Sequence, residues 1–443
     1  MREFEMNQRE EDASVTGNLP PNASAMNTAA PVDEALARLM KIRREDELAK
    51  DLTCFQPGQP LGTIRFIATG DSVHVAQWLT LFAQTQTFVE IETANPVEPF
   101  ENECFSIRPI LPRWIKKAPM SLRYLLSGLV MRFRGPRSSD EIFHAHCASG
   151  NGFAAWLSGR RYIIGVYGTE VFGAHERGFA YRWLLRQILQ GAERIQVAST
   201  ECVKILIEQY EIPPELIYCF HLGLDGKTFH GASDIERAHL RQKAGLPLNE
   251  PIWTVNRRTH PHYRTREVIQ GFFKFCDSGG QGRLVLLCGE SQADYMQGVR
   301  ELIEQSRFRD RVTFIERMLP HAEVAAWLKL SDFGISVPKT DMLSVSTYQA
   351  LGCGAVPILS DLESYNQLRP CRAIRWMNRF EPSDFAEMFA ETANAWPTPH
   401  AMWREESIRF AEDGFSAENA IRDIAAFYLG VPLRKEGLAK WAA

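Results

Sequence analysis

Residues 144 to 172 read HAHCASGNGFAAWLSGRRYIIGVYGTEVF. The stretch opens at the end of an apolar run, breaks at Ser149 and Gly150, and continues through a helix-length apolar segment. It then enters a β-rich run, RYIIGVY, closed by a tight turn that carries Glu170. Strand, crossover helix and second strand form a βαβ unit whose two small-residue strand ends point the same way. Ligands of open parallel sheets gather beyond those carboxyl ends, so the stretch predicts an α/β protein with a ligand cleft at its strand tips.

The same texture runs outward in both directions. Strands are expected over 63–69, 87–92, 141–146, 161–167, 194–199 and 216–221, and again over 251–255, 282–288, 311–315, 332–336, 355–360 and 372–377. Amphipathic stretches near 73–86, 119–133, 179–190, 201–210, 234–244, 264–277, 322–330, 343–352 and 383–394 separate them. This alternation predicts two Rossmann-like, doubly wound domains that face one another across a cleft, over 58–228 and 229–402. The join falls in the glycine-rich HLGLDGKTFHGAS, 221–233. Helices at 403–412 and 417–429 have no strand after them, so 403–443 is expected to cross back over both domains. Residues 1–57, with NLPPNASAMNTAAPVDE and a charged piece after it, read as a mobile tail or a docking arm.

Composition agrees with this division. A chain of 443 residues is too long for one core, and 45% apolar residues supply two. Fifty Lys and Arg against 54 Asp and Glu leave a net charge of −4, which excludes a global basic field for nucleic acid. The nine cysteines are scattered, without a C-x-x-C pair, so neither a disulfide framework nor a zinc cage is expected. The acidic start MREFEMNQREED is unlike a signal peptide, and no apolar run approaches the roughly 18 to 20 residues that span a bilayer. A cytoplasmic protein is expected.

Two segments carry the groups that could hold a phosphorylated ligand. VNRRTHPHYRTREV, 255–268, follows a predicted strand and holds Arg257, Arg258, Arg264 and Arg266 within ten residues. Guanidinium forks at a strand end grip a diphosphate bidentately; the competing reading is a solvated basic loop. SVPKTDMLSVSTYQALGCGAVPILSDL, 336–362, reads strand, polar turn, helix, strand. Its helix start offers Ser344, Ser346 and free amides to an anion without any metal, although a serine cap alone would look the same. Gln349, eight residues after Asp341, is placed to meet a ribose or sugar hydroxyl.

The pairs His144/His146 and His260/His262 share a strand face at i, i+2, but no acid or cysteine set completes a metal site, and packed or substrate-facing histidines are preferred. The turn after LVLLC lacks the second glycine of a dinucleotide fingerprint, and no P-loop motif occurs. Residues 107–137, RPILPRWIKKAPMSLRYLLSGLVMRFRGPR with the preceding Ile107, hold eight Arg or Lys and no acid, interleaved with Trp114 and several leucines. Such a segment can lie on an anionic membrane surface, or be a core helix with a solvated basic face, or both.

Taken in order, these motifs resemble the retaining glycosyltransferases of family 4, of GT-B fold, especially bacterial members that build surface polysaccharides and glycoconjugates. The likeness covers roughly 62–430 and rests on GDSVHVAQWL, EIFHAHCASGNGFAAWLSG, GVYGTEV, HLGLDGKTF, NRRTHPHYRTREVIQGF and TDMLSVSTYQALGCGAVPILSD. The resemblance implies transfer of a sugar from a nucleotide-diphosphate sugar, with retained configuration and no metal or organic cofactor. The second domain would bind the donor through Arg257, Arg258, Arg264, Gly289, Asp341, Ser344, Ser346 and Gln349. Arg258 would neutralise the leaving diphosphate, with His144, His146 and Glu170 near the reacting sugar. Asp71, His74 and Tyr167 would lie on the acceptor side, the acceptor being a carbohydrate, a lipid-linked sugar or another nucleophile. Tyr167 stands where many relatives have His. Met342 and Leu343 replace a Gly-Thr pair and would crowd the phosphate turn, and Gln349 replaces a Glu. A phosphorylase is disfavoured because no cofactor lysine can be placed. The alternative of another class is a catalytically weak GT-B subunit that binds a partner through its tail and its basic segment.

Overall fold

The computed structural model describes residues 64–69, 72–135, 143–287, 292–431 and 433. The expectations for the tail 1–57, for Asp71, for Gly289 and for Arg137 fall outside these residues. The chain forms two compact units: one runs to His221 and is rejoined from Ile421 onward, and the other is Leu222–Ala420.

The first unit is built on strands β1 (Ile64–Ile67), β2 (Val89–Thr93), β3 (Phe100–Glu101), β4 (Phe105–Pro109), β5 (Phe143–His146), β6 (Tyr162–Gly165), β7 (Ile195–Val197) and β8 (Ile217–Cys219). They form one sheet in the order β3-β4-β2-β1-β5-β6-β7-β8, parallel except for β3. β1, β5 and β6 are buried at every position, as parallel strands covered on both faces must be. Helices α1 (Val73–Gln84), α2 (Met120–Arg134), α3 (Gly150–Ser158), α4 (Thr169–Phe172), α5 (Gly178–Gln190) and α6 (Thr200–Tyr210) make the connections. Spacing explains the packing of α1: Val75, Trp78 and Phe82 recur at three and four residues and are all buried. β3 and β4 were not expected. β4 lies near the sheet edge, and its mixed exposure and terminal Pro109 hide it among basic residues.

The second unit holds α7 (Asp234–Lys243), β9 (Ile252–Val255), α8 (Thr265–Asp277), β10 (Arg283–Leu287), α9 (Ala293–Glu304), β11 (Val312–Ile315), α10 (His321–Leu330), β12 (Phe333–Ser336), α11 (Val345–Cys353), β13 (Val356–Ser360), β14 (Arg375–Met377), α12 (Pro382–Ala395) and α13 (Thr398–Gly414). Its sheet is wholly parallel in the order β11-β10-β9-β12-β13-β14. The core gathers around Trp253, Phe272, Phe333 and Phe389, with Trp253 and Phe333 stacked at 5.8 Å. The Trp253 indole, fully enclosed, donates to Thr392 Oγ1 at 3.0 Å, so its one polar atom is satisfied. α9 was missed although Met296, Val299 and Ile303 mark its buried stripe. α13 starts earlier than the PTPH break implies, because Pro399 is tolerated in a first helical turn where no N–H is needed.

Beneath this sheet lies a buried charge network. Asp332, fully enclosed, accepts from Arg237 and Arg241 at 2.7 Å each, from the Ile252 amide at 2.8 Å and from the Trp396 indole at 3.1 Å. Helix α14 (Ala417–Leu429) straddles the unit boundary, and from Ile421 it belongs to the first unit.

Candidate active site

Strand order reverses between β1 and β5 in the first sheet and between β9 and β12 in the second. At such a switch point adjacent loops leave in opposite directions and open a crevice beyond the strand ends. The candidate residues follow these ends: His146 closes β5, Tyr167 and Glu170 follow β6, Arg257 and Arg258 follow β9, and Asp341 to Gln349 follow β12.

In the first unit, Tyr167 is the centre of the arrangement. Its hydroxyl shares a 2.7 Å hydrogen bond with His146 Nδ1, and its ring stacks on His74 at 4.2 Å. Burial pushes the Tyr167 phenol well above its usual range, so the hydroxyl stays protonated. His146 stacks on His144 at 4.3 Å, and His144 shares a 2.5 Å hydrogen bond with Tyr428 of α14. Phe66 and Trp78 enclose both imidazoles. Burial pushes the His144 pKa down to about 3, and burial, then His144 and His74, hold His146 well below its usual range. Both are neutral rings. His144, expected near the reacting sugar, is a core residue without exposed surface. His146 is buried and bonds the Tyr167 hydroxyl.

Glu170 is buried beside these rings' turns. Its Oε1 accepts from the amides of Ala148 at 3.2 Å and Tyr167 at 3.0 Å, which ties the turn after β5 to the turn after β6. Gly168 makes the second turn at φ 107°, a conformation that side chains rarely adopt. Gly165 has a steric role: a Cβ there would lie 3.2 Å from both His144 Nε2 and the Tyr167 hydroxyl.

In the second unit, Arg257 and Arg258 are adjacent and behave differently. Arg257 donates to Ser346 Oγ at 2.8 Å, pairs with Asp341 at 3.0 Å and lies over the Tyr263 ring. Burial alone would lower its pKa, but Asp341, with Tyr263 and Tyr365, outweighs that and raises it. Asp341 also accepts from the Tyr365 hydroxyl at 2.7 Å, and Asn256 donates to the Ser346 carbonyl at 2.7 Å. These bonds join the loop after β9 to the start of α11. Arg258 is exposed and has no hydrogen bond or ion pair among the described residues. Ser344 Oγ lies 3.0 Å from both Ser346 Oγ and Thr347 Oγ1, which groups three hydroxyls at the helix start.

Arg264 differs from the expected phosphate ligand. Its Nη1 donates to the Val337 carbonyl at 2.7 Å and its guanidinium covers the Phe380 ring, so it braces the end of β12. It stands at φ 53°, the left-handed turn from which α8 begins. Gln349 is half-buried and its amide has no partner among the described residues. Met342 and Leu343 are buried, so their bulk is taken up by the interior and does not crowd the turn. Asn256, Tyr263, Tyr365 and Tyr428 were not anticipated; each acts through tertiary contact, and none stands in a motif.

No family model matches the chain, and no curated protein matches it by sequence. Solved structures match in fold. Sucrose-phosphate synthase from Thermosynechococcus elongatus aligns over 84% of this chain and 98% of its own, with 16% identity and a TM-score of 0.68. Anabaena HepE in complex with UDP-glucose aligns over 83% and 99%, with 13% identity and a TM-score of 0.65. The catalytic domain of starch synthase IV from Arabidopsis thaliana, bound to ADP and acarbose, aligns over 84% and 99%, with 11% identity and a TM-score of 0.61. The likeness is one of fold, and the two Rossmann-like units have the GT-B architecture.

Proposed function

We propose that the protein is a glycosyltransferase that moves a sugar from a nucleotide-diphosphate sugar to an acceptor, with retained configuration and without a metal, in bacterial polysaccharide or glycoconjugate synthesis. The observation that carries this reading is the exposed, unpaired Arg258 at the switch point of the second sheet, beside a loop already neutralised by the Arg257–Asp341 pair. A free guanidinium on a rigid loop suits an incoming diphosphate. The α11 amides and the Ser344, Ser346 and Thr347 hydroxyls supply further donors where leaving-group charge develops. The UDP-glucose and ADP carried by neighbours of the same fold support a nucleotide-sugar donor.

In this reading the second unit binds the donor, and Tyr167 of the first unit, backed by neutral His146, hydrogen-bonds a hydroxyl of the acceptor. The departing phosphate takes the acceptor's proton, which fits a site whose imidazoles burial makes weak bases.

Arg258→Ala is expected to weaken binding of a nucleoside diphosphate by about 10- to 150-fold, the scale of one hydrogen bond to a charged group, with an unchanged melting temperature. Titration calorimetry checks this, and equal affinity in both proteins would remove Arg258 from the donor site. Gln349→Glu should tighten donor binding about fivefold, because a charged acceptor holds a ribose hydroxyl better than a neutral amide. Weaker binding would mean that the pocket is built around the amide. If a thermal-shift screen of nucleotide sugars stabilises neither the wild type nor this variant, the partner-binding subunit takes precedence.

A further inference from the structure

Helix α2 shows two contrasting faces. Ser127, Gly128 and Met131 are buried, and Gly128 lets the helix press on α3: a Cβ there would lie 2.9 Å from Leu157 Cβ. At 100° per residue, the opposite side carries Leu122, Leu125, Leu129 and Phe133 in one stripe. Leu122 and Leu125 are 41% and 37% exposed, and Phe133 is 87% exposed. Trp114, 81% exposed, stands in the 3-10 turn just before the helix. An ordinary surface helix turns polar residues outward, and this one turns out leucine and phenylalanine.

The charge within the segment itself has one sign. No Asp or Glu occurs from 104 to 139. Arg108 and Arg113 are paired with Glu101 and Glu98, and Arg123 and Arg134 bond to Asn95 and the Ile110 carbonyl. Lys116 and Lys117, beside Trp114, are exposed and have no partner among the described residues. A second apolar pair, Phe179 and Trp183, is exposed on α5, with Arg182 next to Trp183, and α5 also packs on α3.

We propose that the outer face of α2, with the Trp114–Lys117 turn, docks on an anionic lipid surface. The leucines, Phe133 and Trp114 enter the headgroup boundary, and the two free lysines meet anionic headgroups. Charge complementarity selects this occupant. A second copy of the chain, docked face to face, would set basic residues against basic residues, and an acidic partner protein would leave the leucine stripe without its match unless it too were amphipathic. Among the described residues no helix is long and apolar enough to cross a membrane, so the contact is a peripheral one.

The test is flotation of the full chain with vesicles of phosphatidylcholine alone or mixed with phosphatidylglycerol. Flotation with the mixed vesicles only, weakening as salt rises, is the expected result. Lys116→Gln and Lys117→Gln should each lower affinity about fivefold, the effect of one lysine near an anionic surface. Leu125→Gln with Phe133→Gln should abolish the binding that survives moderate salt. These side chains are exposed, so the variants should melt with the wild type, and a thermal scan verifies it. Equal behaviour with both vesicles, variants that float like the wild type, or self-association relieved by Phe133→Gln would each overturn the proposal. Nucleotide affinity measured without vesicles is independent of all these outcomes, so failure here and failure of the transferase reading are distinguishable.

Discussion

Asp332→Ala should cost about 3 to 5 kcal/mol of stability, the penalty for breaking a buried ion pair by removing one partner. The carboxylate is fully enclosed and its removal leaves Arg241, itself 4% exposed, without its counter-charge. Arg237 and the amide of Ile252 lose the same acceptor. Burial alone would raise the Asp332 pKa, yet Arg241, His400 and Arg237 outweigh it and hold the carboxyl below its usual range. The group is therefore charged in the folded protein, and its charge is what the arginines are arranged around. Urea denaturation followed by circular dichroism measures the effect. Asp332→Asn, which keeps the shape and loses the charge, should fall between the two proteins. A loss for Asp332→Ala below about 1 kcal/mol would show that solvent reaches the arginines and replaces the carboxylate.

Acid should destabilise the first unit steeply. His144 titrates near 6.5 when unfolded and about 3 when folded, so between those values the unfolded chain binds the extra proton. Stability is then fully present above the unfolded pKa and is lost as pH falls from about 6.5 toward about 3. Each histidine held neutral in this way contributes up to about 1.4 kcal/mol per pH unit, and His146 shifts in the same direction. The His144→Phe/Tyr428→Phe protein removes the titrating ring and its hydrogen-bond partner together, leaving no orphaned hydroxyl. Its stability should fall more gently across that range than the wild type's. Parallel profiles would mean that His144 does not control the acid response.

The ladder of strands was readable because parallel sheets buried on both faces favour near-continuous apolar runs, and YIIG, IWTV and VPILS come close to that, while IRFI is broken by Arg65, which pairs with Glu90. β4 was not readable, because an outlying strand with Ser106 and Arg108 in it satisfies a weaker pattern. The donor-side residues were legible as a set of types after two strands, and their division of labour was not. Which of two adjacent arginines pairs inward depends on where Asp341 and Ser346 come to lie, and that is decided by the β9–β12 pairing some eighty residues apart in sequence. Arg264 fits the pattern of a phosphate ligand by spacing alone, but a left-handed backbone turn redirects it to Val337. The histidine pair presented the same difficulty: only the aromatic shell from α1 and α14 shows His144 to be core.

The return of α14 to the first unit sets an order on synthesis. Trp78, His144 and Phe220 gain their cover from Phe427 and Tyr428, which leave the ribosome long after β1 to β8 are made. While the second unit is emerging, the first has its strands but an open aromatic seam and an unpartnered buried imidazole. Leu222–Ala420 has its own contiguous sequence and can close first, so the domain translated first is the last to be sealed. A nascent chain of this protein thus carries an open aromatic surface from the completion of β8 until α14 is made, and a premature stop within the last turns of α14 would leave that surface permanently open.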